Sequence, residues 1–309
     1  MTGEVATKEV VVAAAIMNCV RDKKQNLEKY KGFIEQAASN DTRLIVFPEM
    51  SLQGHVWDML GTTTEDEYLY HYKNAEPIPG PSTEVIAEEA KRHNMSIVFG
   101  MAEKAAVGGE AVLYNSCVLV NPEGSIGIYR KVHAAGNEVR LFNKGACWPV
   151  FDTDIGRIGM LSCYDRIFPE STRELALQGA DILVILSAWS AGADEPEPAY
   201  WGSLGRFVER VRALENQCWV ISSNHTEFEK KGGVEYHGHS RIVSPSGEVI
   251  AEGGYEEGLV TARINIKKEI RRTRTGIFFG LNFLKDRMPE TYTNIANRSI
   301  YLPPHQVSI

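Results

Sequence analysis

The 309-residue sequence contains no run of 18 or more apolar residues, so no stretch reads as a membrane-spanning helix. Cationic clustering is also sparse. The net charge is −7 and the pI about 5.7, and the densest basic group is Lys267, Lys268, Arg271, Arg272 and Arg274. That is too little for the basic face that displaces counterions from nucleic acid. The opening stretch, MTGEVATKEVVVAAAIMNC, carries Glu4 and Glu9 and has no basic segment ahead of its apolar run, so a secretory leader is not expected. Cysteine usage points the same way. Cys19, Cys117, Cys147, Cys163 and Cys218 are odd in number and lack CxxC spacing, which fits reduced cytoplasmic thiols rather than disulfides or a zinc knuckle. No GxSxG elbow is present, which disfavours a serine hydrolase. The expectation is a cytoplasmic protein with neither a membrane nor a nucleic-acid partner.

What the chain does have is apolar content, 43% of residues, and a regular alternation of short β-branched runs with amphipathic segments. Strands are predicted over 9–17, over 43–49 with a halt at Pro48, and over 96–103. Between them, Leu27, Tyr30, Phe33, Ile34 and Ala37 repeat at helical spacing, and a second helix is predicted over 82–93 with Ser82 or Thr83 as its cap. Runs at 115–131, 149–163 and 240–252 each enclose a Gly-containing turn, the mark of a hairpin. A helix from Pro169, a strand over 181–188, a helix over about 199–217 and a strand over 218–224 complete the pattern. No low-complexity linker divides the chain. The reading is α/β, with two sheets covered by helices in one domain over 1–280, and an irregular tail, 281–309, that packs on the body or a neighbour.

Three reactive side chains stand at strand ends: Glu49, Lys131 and Cys163. Each has an ordinary reading by itself, as a loop carboxylate, a surface lysine and a small buried hydrophobe. Together they make a complete acyl-transfer set. A thiolate attacks a carbonyl carbon, a carboxylate takes the thiol proton and later activates water, and an ammonium neutralises the oxyanion.

The segments FPEM (47–50), YRKVH (129–133) and CYDRIFPE (163–170) resemble, in order and approximate spacing, the signature blocks of the nitrilase superfamily of carbon-nitrogen hydrolases. Further similar blocks at 149–165, 174–189, 212–224, 239–252 and 286–292 extend the resemblance over most of the chain. It implies a four-layer α-β-β-α sandwich, no metal or organic cofactor, and association into a homodimer or larger homo-oligomer through outer helices. It also implies roles: Glu49 as general base, Lys131 as oxyanion cation, Cys163 as nucleophile, Glu138 as support for the lysine, and the main-chain N–H of Tyr164 as a second oxyanion donor. A small-molecule amide or ureido substrate is implied, and CYD at 163–165 resembles amidases and carbamoylases more than true nitrilases.

Four features bear on the substrate. Arg166 matches an arginine that holds a substrate carboxylate in D-carbamoylase-like members, a task suited to a guanidinium. Its alternative is to tie the loop through Asp165 or Glu170. His55 either lines the pocket or caps a turn. Trp189 and Trp201 flank a proline-rich acidic insert at 190–200 that shapes a substrate mouth or a subunit contact, with Trp189 the better pocket candidate and core packing its alternative. HGH at 237–239 lacks partners for a metal site. A nitrilase, an acyltransferase using the same thioester, and a non-catalytic superfamily domain are the other readings.

Overall fold

The computed structural model describes residues 9–56, 65–190, 198–226, 236–276 and 278–296. The insert at 191–197 and the side chain of Trp201 lie outside the described residues. The chain starts with β1 (Val10–Met17), whose eight residues are all buried because it lies among other strands with both faces covered. Helix α1 (Lys23–Ala38) is capped by the Asp22 carboxylate and turns Tyr30, Ile34 and Ala37 inward. Strand β2 (Thr42–Val46), helix α2 (Glu65–Asn74) and helix α3 (Pro81–His93) follow. The cap of α3 is Gly80, not Ser82 or Thr83. The Thr83 hydroxyl accepts from the Gly80 N–H, while Glu76 draws off the Ser82 N–H and hydroxyl, so both predicted caps are engaged inside the first turn.

Strands β3 (Ser96–Val107), β4 (Glu110–Val120) and β5 (Ile126–Arg130) form an antiparallel meander. After the short α4 (Glu138–Leu141) come β6 (Val150–Thr153), β7 (Gly156–Ser162), a 3-10 turn over Cys163–Ile167, α5 (Pro169–Leu177), β8 (Ile182–Ser187) and α6 (Pro198–Asn216). The last elements are β9 (Trp219–His225), β10 (Arg241–Val243), β11 (Val249–Glu252), β12 (Gly258–Ile264) and α7 (Ile266–Thr275). Beyond them the predicted tail is irregular as far as it is described. Its start meets Gln217, which donates to the Leu281 carbonyl and accepts from the Phe283 N–H.

Hydrogen bonding runs β5-β4-β3-β2-β1-β9-β8-β7-β6, but β1 and β9 share only the register pairs Ile16 with Asn224 and Met17 with His225. At that narrow seam the sheet divides into two facing halves. Period-two alternation then sorts the side chains into layers. Val12, Ala14, Leu44, Val46 and Leu119 of one half meet Ile158, Met160, Val184 and Ile221 of the other in one inner cluster. The opposite faces carry Ile45, Phe47 and Phe99 against α1 and α3, and Leu161, Leu183 and Ile185 against α5 and α6. The result is the α-β-β-α sandwich. Because β2, β3, β5, β7, β8 and β9 all run the same way, their C-terminal ends meet at one end of the sandwich, the customary place for a site.

Candidate active site

Glu49 arrives in this crevice because the chain leaves β2 through Phe47 and Pro48 and passes close over β3. Gly100 permits that approach: a Cβ there would lie 2.3 Å from the Met50 nitrogen and 2.7 Å from the Pro48 oxygen. Lys131 is placed by the β4/β5 hairpin, where Ser116 pairs with Arg130, so that one step further the Lys131 N–H bonds the Asn115 carbonyl at 2.8 Å. Glu138, at the start of α4, receives the Ala135 N–H at 2.8 Å.

The structure brings these three predicted residues together. Lys131 Nζ lies 2.6 Å from Glu49 Oε1 and 2.7 Å from Glu138 Oε2, all three side chains buried. Asn115 Nδ2 donates to both carboxylates, at 2.8 and 2.7 Å. The Ser162 hydroxyl and the Ala188 N–H complete the shell of Glu49 at 2.8 and 3.1 Å. His225 Nε2 donates to the Glu49 carbonyl at 2.5 Å.

Cys163 follows directly on β7 and opens the 3-10 turn with φ of 43°, a left-handed conformation that costs a non-glycine residue roughly 1–2 kcal/mol. Burial pushes its thiol up to about 12, with the Glu49 charge adding and Arg166 and Lys131 opposing. The resting sulfur is therefore protonated at neutral pH. Burial also works against the Glu49 carboxylate, but the adjacent Lys131 ammonium outweighs it and holds Glu49 far below the usual carboxylate range. Glu138 goes the other way, raised by burial and by its proximity to Glu49 against the pull of Lys131. Burial disfavours the Lys131 ammonium, yet the two carboxylates hold its pKa well above that of a free lysine. The cluster thus offers a neutral thiol, an ionised carboxylate and a fixed cation, the groups needed for a general-base thiol attack.

The other predicted residues fall around this centre. His55 Nε2 faces Glu49 Oε2 at 3.8 Å and Glu138 Oε1 at 3.9 Å, and its Nδ1 meets the Tyr236 hydroxyl at 3.1 Å. Burial lowers its pKa to about 4, so the ring is neutral. Glu49, His55 and Glu138 each offer an atom within 4.8 Å of the others, as a metal site would, but the Lys131 ammonium already bonds both carboxylates. The oxygens that face His55, Glu49 Oε2 and Glu138 Oε1, already accept from the Ala188 N–H and Asn115 Nδ2, and the neighbouring ammonium opposes a second cation, so the donor set does not fit a metal. Tyr164 is 37% exposed, its ring directed at the Phe168 edge, which leaves its backbone as the relevant group. Trp189 is half-buried, and its main-chain N–H donates to Asn224 Oδ1. In the HGH stretch, the His237 and His239 rings lie 4.6 Å apart and His239 faces Glu252.

Arg166 ties neither to Asp165 nor to Glu170. Its Nη1 pairs with Glu209 of α6, which also accepts from the Ser222 hydroxyl at 2.7 Å and from Arg241 at 2.5 Å. The guanidinium lies 4.4 Å over the Trp189 ring, and Nε and Nη2, the edge that takes a carboxylate side-on, have no hydrogen-bond partner among the described residues.

Asn115, Ser162, Glu209, His225 and Tyr236 were not singled out in the sequence. Asn115 had a usable signal, since extending the predicted 115–131 hairpin by one register step places this polar residue beside Lys131. Ser162 had one too, as the residue before Cys163, whereas Glu209, His225 and Tyr236 are joined to the site only by tertiary packing.

The chain belongs to the carbon-nitrogen hydrolase family, whose model matches residues 11–274. It is 30% identical over 282 residues to a probable nitrilase of Schizosaccharomyces pombe, covering 90% of this chain and 95% of that protein. It is likewise 30% identical over 262 residues to the omega-amidase of Homo sapiens, covering 81% and 87%. A carbon-nitrogen hydrolase from Helicobacter pylori G27 superposes with a TM-score of 0.80 at 24% identity, over 94% of this chain and 99% of the other.

Proposed function

We propose that this protein is a thiol amidohydrolase that releases ammonia from a small amide or N-carbamoyl compound through an acyl-cysteine. The Cys163 sulfur bonds the substrate carbonyl carbon as Glu49 takes the thiol proton. Lys131 Nζ and the Tyr164 N–H hold the oxyanion. Glu49 then passes the proton to the leaving nitrogen, the C–N bond breaks, and ammonia departs. In the second half a water gives a proton to Glu49 and its hydroxyl to the acyl carbon; the C–S bond then breaks, Glu49 returns the proton to the Cys163 sulfur, and the acid departs. The observation that carries this reading is Lys131 bonded between two buried carboxylates beside a left-handed cysteine, on a family fold whose curated relatives include omega-amidases.

The open Nε/Nη2 edge of Arg166 favours a substrate bearing a carboxylate, with Trp189 and His55 lining the pocket. Residues 1–280 are read as one hydrolase unit, supported by β1 and β12 pairing over Val10 to Ile16. Association through the outer helices is supported by Phe207 on α6, 63% exposed, and Leu177 on α5, 45% exposed. Among the described residues no helix is long and apolar enough to cross a membrane.

The test is mass spectrometry and ammonia release with wild type and Cys163→Ala on a panel of amides, ureido acids and nitriles. Acyl adducts on Cys163 and loss of turnover in the variant are expected. Turnover by Cys163→Ala would overturn the mechanism. Adding hydroxylamine to the same panel separates hydrolysis from acyl transfer.

A further inference from the structure

The Asp165 side chain is fully buried and none of the proposed steps uses it. Its Oδ2 accepts from the Tyr129 hydroxyl at 2.6 Å and the Ser162 N–H at 2.9 Å, while Oδ1 lies 2.9 Å from both the main-chain nitrogen and Nδ1 of His133. All four acceptor positions of the carboxylate are thereby filled. The pattern of partners matters more than their number. Tyr129 and His133 stand two residues either side of Lys131, and Ser162 and Asp165 enclose Cys163. A single carboxylate holds the Tyr129 hydroxyl and the His133 main chain, on the two flanks of the proposed oxyanion cation, to the turn that carries the proposed nucleophile. Ring packing reinforces the connection, with His133 stacked 3.8 Å from Phe168 of the cysteine turn and Tyr129 stacked 5.4 Å from Trp148.

Resting on the catalytic assignment above, we propose that Asp165 is a positioning residue that sets the spacing between Lys131 and Cys163, and through it the geometry of the oxyanion hole. An oxyanion has to sit within hydrogen-bond reach of Lys131 Nζ and of the amide after Cys163 at once, and these lie on facing halves of the sandwich. A misplacement of about 1 Å in such a constellation costs about 10²-fold. The Ser162 hydroxyl also reaches Lys131 indirectly, through Glu49 Oε1, which both groups bond, but that route runs over the reacting carboxylate itself; direct contacts between the two segments are weaker. Cys117 Sγ to the Leu161 carbonyl, at 3.8 Å, is one, and it is weak.

Asp165→Asn keeps the shape but sets an amide donor against one pair of donors, either those of His133 or those of Ser162 and Tyr129. The expected result is a fall in kcat of about 10²-fold with KM within about threefold. Alkylation of Cys163 by iodoacetamide, followed on its own peptide by mass spectrometry, is expected to change by less than about threefold, because that reaction develops no oxyanion. Tyr129→Phe should show the same split at about tenfold in kcat, and should add little when combined with Asp165→Asn. If alkylation falls in parallel with turnover, Asp165 shapes only the cysteine turn and the proposal is overturned. Unchanged turnover overturns it equally. Should Asp165→Asn fail to fold, Tyr129→Phe carries the same two readouts. Failure of the amidohydrolase reading would register separately, as absence of turnover by the wild type.

Discussion

The two sides of the crevice are finished to different degrees. On the β2, β4 and β5 side, Glu49 receives hydrogen bonds from Lys131, Asn115, Ser162 and Ala188, and Lys131 is held from both ends by carboxylates. On the β8 and α6 side, Arg166 is as deeply buried, yet among the described residues only Nη1 is engaged, and Nε and Nη2 have no hydrogen-bond partner. Unpaired buried donors cost about 1–3 kcal/mol each, so a fold keeps them only where something else repays the loss. The closed side suits the proposed chemistry, and the Arg166 side would take the carboxylate of the proposed substrate.

Breaking the closed side should give the largest effects. Lys131→Met leaves Glu49 and Glu138 buried together without a counter-charge, and should lower turnover by at least about 10³-fold and stability by about 3–5 kcal/mol, measured by steady-state kinetics and denaturant melts. Asn115→Ala removes one donor shared by both carboxylates. A kcat loss of about 10–100-fold is expected, since hydrogen bonds to charged groups are worth about 1.5–3 kcal/mol. The open side should respond in binding instead. Arg166→Lys preserves the charge facing Glu209 but loses the bidentate edge, so KM for carboxylate-bearing amides should rise about tenfold while neutral amides are unaffected. An equal rise for both would close the distinction between the sides.

The smallest effect on turnover is that of pH, which acts on stability instead. Burial holds His55 and His225 at about 4, below the ordinary histidine value. The folded state therefore refuses protons that the unfolded chain takes up below about pH 6.5. Stability is complete above that pH and declines as pH falls toward 4, by an amount on the order of 3 kcal/mol per ring. Thermal melts between pH 7 and 4.5 check this, and His225→Asn should flatten the slope. Activity should not follow the same course, because Glu49 stays ionised throughout that range.

Strand and helix patterning carried much of the sandwich because its layers are built from period-two and helical repeats, as at β1, β8 and α1. Elements with weak contrast escaped. In β12, GLVTARI buries only Val260 and Ile264, and α7 turns just Ile266, Ile270 and Thr273 inward beneath a basic surface. Glu49, Lys131 and Cys163 were legible because each ends or directly follows an apolar run, and the structure sets Lys131 between the two predicted glutamates. Arg166 was misread in its alternative role because its partner, Glu209, is 43 residues away on a helix. No local pattern marks a buried ion pair of that span.

The position of β1 has a consequence for biosynthesis. It leaves the ribosome long before its antiparallel neighbour, Gly258–Ile264, is made. Until then one edge of an entirely apolar strand has no permanent occupant, and such edges recruit other chains. A nascent or truncated polypeptide ending before residue 258 should therefore be a client for chaperones and a seed for aggregates, however complete its catalytic residues.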